Sequence, residues 1–450
     1  MASDRINFFD YLSEEKLFFP IEAVEDFLLS LKVKPFVILS GGSGTGKTKL
    51  AQAYGRFISK PGQEYKTAEF SVTLNKSDKN RGFTLSRDEF FNNLPFDGRK
   101  ANGEYKVEIG NVKSTGEIDL TPRFWFRDSD ELADEITRLK TEGKEKEVLR
   151  MFIPQGKTSG SNYRIVPVGS NWTESRFIIG YRNVLNGKYS STESLDLIVQ
   201  ANRNPGEPFL LILDEMNLSH VERYFSDILS SMESGEAICI DNGSDDSIPD
   251  QVRISDNLMI VGTVNVDETT YTFSPKVLDR ANVIEFSSVP ASSYLSGNGP
   301  NGTPAGNVEY LQDCMNGVAI RRMKGPDIIK AIRSSGNGQV ADTIADDLEK
   351  LQECMESMGL PIGLRTIDEI MRFMYAAWNY TGHGDFHQYK RFFDSQVKQK
   401  ILPKIHGGQE IADGLKSMQS ICIDGGYDRS ASRIERMVKT LEKQRYVSFN

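Results

Sequence analysis

Residues 35–48 constrain the fold of this chain more than any other stretch. A short apolar run, Pro35-Phe-Val-Ile-Leu39, leads directly into Gly41, Gly42, Ser43, Gly44, Thr45, Gly46, Lys47 and Thr48. Helical spacing then resumes, with Leu50, Tyr54, Phe57 and Ile58 on one side. Glycines at alternate positions let a backbone wrap closely around anionic oxygens, so that several N–H groups point inward. The helix that starts near Lys47 adds its positive end. In that setting a Lys47 ammonium reaches the β- and γ-phosphates of a nucleotide, and the Thr48 hydroxyl can ligate Mg²⁺. The bland alternative is a glycine turn arising by chance. The strand before it and the helix after it are the context that argues against this.

A strand, glycine loop and helix call for a parallel sheet, and the chain supplies further strands. Tyr163–Val168 reads as one. Pro208-Phe-Leu-Leu-Ile-Leu213 and Leu258-Met-Ile-Val-Gly-Thr-Val264 are continuous apolar runs, as parallel strands buried on both faces require. Asn282–Phe286 is the last. A hairpin is expected between Ala237–Ile240 and Gln251–Ile254, across an acidic turn. Before the glycine loop, Ile21, Val24, Phe27, Leu28 and Leu31 share one helical face. The expected class is α/β, a parallel sheet flanked by helices, over residues 1–66 and 161–290. Residues 67–160 alternate in short runs, such as Tyr105–Ile109 and Arg123–Arg127, with one helix expected over Asp128–Met151. They read as an inserted α+β module. Residues 291–308, rich in Ser, Gly, Pro and Asn, read as a linker. From 309 to 450 the spacing is helical, a lid-like domain. Its last helix places Ile434, Met437, Val438 and Leu441 on one face with Arg433, Arg436, Lys439 and Lys443 around them, which is read as a solvated amphipathic helix.

Three further places carry chemistry. Leu210-Leu-Ile-Leu-Asp-Glu-Met-Asn217 ends an apolar strand in two carboxylates. Downstream of a phosphate loop, Asp214 is expected to hold the hydration shell of Mg²⁺, and Glu215 to orient or deprotonate an attacking water. Val261-Gly-Thr-Val-Asn265 ends another strand in an amide that can lie beside a γ-phosphate. The plain reading of Asn265 is a turn residue. Arg280, in Lys276-Val-Leu-Asp-Arg280, is a candidate finger, a planar cation presented to the nucleotide of a neighbouring subunit. Arg365, in the helical region, is a candidate reporter of nucleotide state. For both arginines the alternative is a surface ion pair.

Composition excludes several classes. Of the 450 residues, 38% are hydrophobic and 26% charged, as in ordinary globular proteins. No apolar run approaches the roughly 20 residues needed to cross a bilayer, and no basic, then apolar, leader opens the sequence. The four cysteines form no CxxC pair, and the four histidines show no ligand spacing. A cytoplasmic location is expected. The formal net charge of −9 means that contact with DNA would have to come from a local patch or pore.

Together these parts resemble an AAA+ ATPase: phosphate loop, Asp-Glu strand end, Asn sensor, finger arginine and lid arginine. Longer strings narrow the resemblance to the McrB branch, the motor subunits of modification-dependent restriction systems. They are Asp214-Glu-Met-Asn-Leu-Ser-His-Val-Glu-Arg-Tyr-Phe-Ser-Asp-Ile-Leu-Ser-Ser-Met-Glu-Ser234, Val168-Gly-Ser-Asn-Trp-Thr-Glu174 with Gly180-Tyr-Arg182, Thr263–Thr270 and Phe273–Ala281. A weaker match is Gln396–Gly407. The resemblance covers roughly 21–60, 161–290 and 360–410 and leaves 67–160 outside. It implies a homo-hexameric ring that hydrolyses GTP, or ATP in some relatives, with Mg²⁺. It also implies a separately encoded McrC-like nuclease that stimulates hydrolysis, and DNA translocation. The best-known members carry Met-Asn-x-x-Asp-Arg at the sensor loop, where this chain has Val264-Asn-Val-Asp-Glu-Thr269. About 20 residues precede the first core helix, so the 67–160 module, with Trp125, Phe124, Phe126, Tyr105, Arg123 and Arg127, is the candidate for DNA contact. The competing reading makes those residues the module's own core and rim.

Two other functions are carried alongside. One is a MoxR-like ring ATPase that remodels a protein substrate. The other is a nuclease using Glu108, Glu117 and Asp119 as metal ligands, for which no PD-(D/E)xK arrangement is present.

Overall fold

A computed structural model of the chain describes residues 7–59, 65–73, 103–109, 112–119, 125–127, 137–139, 141–143, 146–154, 162–183, 189–241, 248–266, 271, 273–287, 291–295 and 303–449. The chain divides into two compact units, residues 1–59 with 162–450, and residues 60–161.

The first unit is built on a five-stranded parallel sheet. Its strands are β1 (Phe36–Gly41), β2 (Tyr163–Pro167), β3 (Phe209–Asp214), β4 (Leu258–Asn265) and β5 (Asn282–Phe286), in the order β5-β1-β4-β3-β2. All four strand pairs are parallel. β1 is buried throughout, and β3 and β4 are buried up to their last residue, because helices cover both faces. β2, on an edge, is half-exposed. The unbroken apolar runs read from the sequence are thus the inner strands.

Two helices pack on β1, and a third packs on one of these. α1 (Phe8–Glu14) and α2 (Ile21–Val33) precede it, and α3 (Lys47–Ser59) follows the glycine loop. The stripe of Ile21, Val24, Phe27, Leu28 and Leu31 on α2 is buried. On α3, Leu50 and Tyr54 are fully buried, with the Tyr54 ring edge-on to Phe8 and Phe27 at 5.3 and 5.6 Å. The Ala237–Ile240 and Gln251–Ile254 hairpin forms over Ile238–Cys239 and Gln251–Val252.

The region from 309 onward is helical, in the same compact unit as the sheet. Its longer helices are Gly325–Ser334, Gly338–Ser357, α4 (Leu364–Tyr380), Tyr389–Gln396, Ala412–Gly425 and α5 (Asp428–Gln444). Within the 291–308 stretch the structure has a short helix, Ala291–Leu295, and another begins at Val308. On α5, Ile434, Met437 and Leu441 are buried and Val438 is partly so. The expectation of a solvated helix needs one amendment. Arg433 turns inward to Glu285 of β5 at 3.4 Å, where Lys398 also pairs at 2.9 Å. Burial raises the Glu285 carboxyl, but those cations outweigh it and hold it below its ordinary value. No described helix is long and apolar enough to cross a membrane.

The second unit is an antiparallel sheet of Tyr65–Thr73, Lys146–Pro154, Gly103–Ile109, Val112–Asp119 and Trp125–Arg127, in that spatial order. Here the sequence reading needs correction. The helix expected over Asp128–Met151 is not formed as such, because Lys146–Pro154 is a strand pairing along its whole length with Tyr65–Thr73. Nine consecutive cross-strand pairs override the helical preference of the Glu- and Lys-rich segment. The roles weighed for Trp125, Phe126, Arg127, Tyr105, Glu108, Glu117 and Asp119 concern side chains outside the described set, as do Arg123, Phe124, Glu268 and Thr269.

Ile212 sits in mid-β3 between Ile165 and Val261, with no exposed surface. Replacing it with Ala should remove about 2–5 kcal/mol of stability. A urea titration followed by near-UV circular dichroism checks this, and an unmoved midpoint would contradict the packing described.

Candidate functional site

Parallel register sets the level of the site. Gly41, the last residue of β1, lies opposite Asn265 on one side and Phe286 on the other. The carboxyl ends of β1, β4 and β5 therefore finish together, and in open α/β sheets ligands gather there. Gly41 has to be glycine, because a Cβ would stand 2.4 Å from the Phe286 carbonyl oxygen. Gly44 and Gly46 have φ of +79° and +92°, and a Cβ on Gly46 would also meet the Phe19 ring at 2.8 Å. Phe19 thus fixes the path of the loop from below. Thr45 closes it, donating to the Gly42 carbonyl at 2.9 Å, and Ser43 and Gly44 form its exposed crest.

The Lys47 ammonium folds back over the loop and donates to the carbonyls of Gly41 (2.9 Å) and Gly42 (2.6 Å). Burial presses its pKa down, and the nearby Asp214 and Glu215 carboxylates oppose that shift. Next to it the Thr48 hydroxyl donates to Asp214 Oδ1 at 2.8 Å. The same Asp214 oxygen receives the Thr263 hydroxyl at 2.6 Å, and Thr263 Oγ1 accepts the Glu215 backbone N–H at 3.0 Å. Asn265 Nδ2 donates to Glu215 Oε1 at 3.1 Å. Its own carbonyl accepts from Asn217 Nδ2 at 3.0 Å. Lys47, Thr48, Asp214, Glu215 and Asn265, selected separately in the sequence, come together across the ends of three strands.

Glu215 has φ +53°, ψ +47°, a left-handed conformation that costs a non-glycine residue free energy. The strain aims the carboxylate out of the strand toward Asn265. The residues after Glu215 are packed to hold it. Met216 lies over Gly262, where a Cβ would come within 2.4 Å of its sulfur. The Met216 carbonyl takes the Tyr224 hydroxyl at 2.8 Å. Trp172 stands edge-on to Tyr224 at 5.4 Å, and its carbonyl accepts from Ser219 at 2.5 Å. Trp172 and the Met216–Tyr224 string are thus mutual packing partners beneath the site.

Thr263 was not singled out by the sequence reading. The signal was present: along a strand, residues two apart share a face, so Thr263 must accompany Asn265.

Arg280 and Arg365 lie elsewhere. Arg280 precedes β5 by two residues, and β5 begins opposite Val37, four residues before Gly41. That places it toward the amino ends of the strands, roughly 13 Å of strand below the glycine loop at about 3.3 Å per residue. It ion-pairs with Glu233 at the end of the helix Ser226–Ser234 and donates to the Lys276 carbonyl at 2.7 Å. Arg365 reaches the other oxygen of Glu233 at 3.1 Å. The two arginines therefore converge on one carboxylate. Burial, then the adjacent Arg365 charge, lowers the pKa of Arg280, which stays a cation.

The donor set suits a small hard cation. Thr48 and Asp214 offer a hydroxyl and a carboxylate oxygen 2.8 Å apart, matching Mg²⁺, which takes one or two protein oxygens and fills its octahedron with phosphates and water. Among the described residues no cluster of three His, Cys, Asp or Glu side chains forms a separate metal site.

Residues 322–446, which include Arg365, match a family described as a domain of unknown function, DUF8727. No curated protein matches the chain.

Thr263→Val keeps the shape but leaves Asp214 and the Glu215 N–H each one partner short. It should cost about 1–3 kcal/mol of stability, whereas Thr263→Ser should cost less. Paired thermal melts decide this, and equal losses for the two variants would mean that the hydroxyl is not the link.

Proposed function

We propose that the protein is an AAA+ nucleoside-triphosphatase of the McrB-like kind, a ring motor that hydrolyses ATP or GTP with Mg²⁺ and drives DNA translocation for a McrC-like nuclease in anti-phage restriction. One observation supports the hydrolase reading above the others. Thr48, Asp214, Thr263, Glu215 and Asn265 form a continuous hydrogen-bonded chain beside the glycine loop.

On this reading the inward N–H groups of the loop and Lys47 hold the β- and γ-phosphates. Lys47 leaves the Gly41 and Gly42 carbonyls to do so, exchanging two neutral acceptors for anionic ones. Thr48 and Asp214 would hold Mg²⁺, which would supply positive charge beside the phosphate oxygens. Glu215, fixed by strained backbone and by Asn265, orients the attacking water and takes its proton. Asn265 sets the angle of that carboxylate and offers the water a second contact. Arg280, being at the far end of the sheet from its own loop, serves the nucleotide of the next subunit. The McrB-like assignment and the DNA, contacted through the complex or through the 67–160 module, rest on the sequence strings that carry the resemblance. A MoxR-like remodelling ATPase uses the same hydrolytic parts, so the two readings separate on partner and substrate.

Lys47→Ala should abolish nucleotide binding, and Glu215→Gln should bind normally while hydrolysing about 10²–10⁴-fold more slowly. Release of phosphate from purified protein, with ATP and GTP in competition, checks both. Unchanged hydrolysis in either variant sinks the hydrolase reading. Stimulation by a co-encoded nuclease and by DNA supports the restriction motor, and stimulation by a protein substrate alone favours remodelling.

A further inference from the structure

Three lysines converge on the backbone that carries Arg280. Lys34, between α2 and β1, donates to the Asp279 carbonyl at 2.9 Å and to Glu369 Oε1 at 2.5 Å. Lys400 donates to the Ala281 carbonyl at 2.9 Å and ion-pairs with Glu369 Oε2 at 2.6 Å. Lys404 reaches the Asp279 carboxylate at 2.5 Å and the Thr366 hydroxyl at 3.0 Å. The carbonyls of the residues on both sides of Arg280 are thus held by ammonium groups, Lys34 on Asp279 and Lys400 on Ala281, and these two lysines are held by one carboxylate on α4. The same Glu369 lies 3.4 Å from Nε of Arg365.

This cluster is costly. Lys34, Lys400 and Glu369 are all buried, and replacing buried ion pairs with apolar packing is often neutral or stabilising. Fixing helices to a sheet does not require it. What apolar side chains cannot do is donate to the carbonyls of Asp279 and Ala281. Burial alone would raise the Glu369 carboxyl, but the ammonium groups of Lys34 and Lys400 outweigh it and hold the group well below the usual carboxylate range. Its two oxygens, one on each ammonium, tie both lysines down.

We propose that Glu369 is a positioning residue for Arg280: through Lys34 and Lys400 it fixes the backbone on either side of that arginine, and so sets where the guanidinium meets the nucleotide of a second copy of this chain. The inference rests on reading Arg280 as the residue that completes a neighbour's site. The loop is held from the sheet side by Lys34 and from the helical side by Lys400, Lys404 and α4. Movement of α4 against the sheet would therefore move Arg280, and Arg365 and Glu233 with it.

The test uses full-length protein and subunit mixing. Glu369→Gln keeps the size of the side chain and removes the charge. A catalytic group displaced by about 1 Å costs on the order of 10²-fold. Glu369→Gln should lose hydrolysis to about that extent and bind fluorescent ATP or GTP at its own glycine loop as wild type does. Mixed with Glu215→Gln chains, which have a dead site but an intact Arg280 setting, it should recover activity, since its own site is complete and needs a correctly placed neighbour. Arg280→Ala mixed with Glu215→Gln is the reference. If that pair shows no recovery, the neighbour-site reading fails and takes this inference with it. If it recovers while Glu369→Gln is fully active alone, or is inactive and not rescued, the positioning role alone is overturned. Should Glu369→Gln not fold, Lys404→Gln, on the more open arm, decides. A loss rescued by the same mixture supports the cradle, and wild-type hydrolysis refutes it.

Discussion

Asp214 stands at the end of β3, and the glycine loop at the end of β1, with β4 between them. The Thr48 hydroxyl reaches Asp214 directly, and the strand between them must leave that carboxylate in place and hold it. Thr263 of β4 does this, with its hydroxyl on Asp214 and its oxygen under the Glu215 N–H. Register is what makes it possible. Because side chains alternate, a slip of one residue in β4 would turn Thr263 and Asn265 to the opposite face together and break the chain at two places. The ladder that pairs Ile260–Asn265 with Phe36–Gly41 and Leu258–Gly262 with Phe209–Leu213 therefore fixes the apolar core and the polar site together.

The sequence displayed the sheet and the loop plainly because each is written locally. Apolar runs of strand length followed by Gly or Asp-Glu need no distant partner to be recognised, and Lys47, Thr48, Asp214, Glu215 and Asn265 are candidates on that ground. The features that went unread depend on distance. Thr263 looks like any β-branched strand residue until β3 lies beside it. Glu233 becomes relevant only when Arg280 and Arg365, far apart along the chain, arrive at its two oxygens. Glu369 and Lys400 appear in the sequence as ordinary polar residues of helices, yet both are buried. In the second unit the error ran the other way. Local charge suggested a helix through Met151, and pairing with Tyr65–Thr73 decided for a strand.

Among the described residues, two of the charge clusters that attach the helical region lie against β5 and the start of β1. Glu285 of β5 holds Lys398 and Arg433, and Lys34 holds Glu369 of α4. Lys398 and Lys400 sit in one wide helical turn, Val397–Ile401, a π-helical stretch of a kind often found at functional sites. From that turn one lysine faces β5 and the other faces the segment just before it. Buried charge pairs are directional in a way apolar contacts are not, so they define a particular seating of helix on sheet. The segment from Asp279 to Glu285 is where the sheet is tied to the helices by these charges.

That segment also separates the two halves of the candidate site. The glycine loop lies at the carboxyl ends of the strands and Arg280 toward their amino ends, facing Glu233. A protomer arranged so cannot bring its own Arg280 to its own loop without dismantling the sheet. Under the proposed reading, completion needs a second copy placed so that the amino-end side of one meets the carboxyl-end side of the next. Such a contact joins two different surfaces, so it is heterologous. Heterologous contacts do not stop at two copies: they close into a ring when the rotation between copies divides a full turn, and otherwise continue as a filament. Under that reading the polarity of the parallel sheet calls for a closed ring or a filament, not for a two-fold dimer.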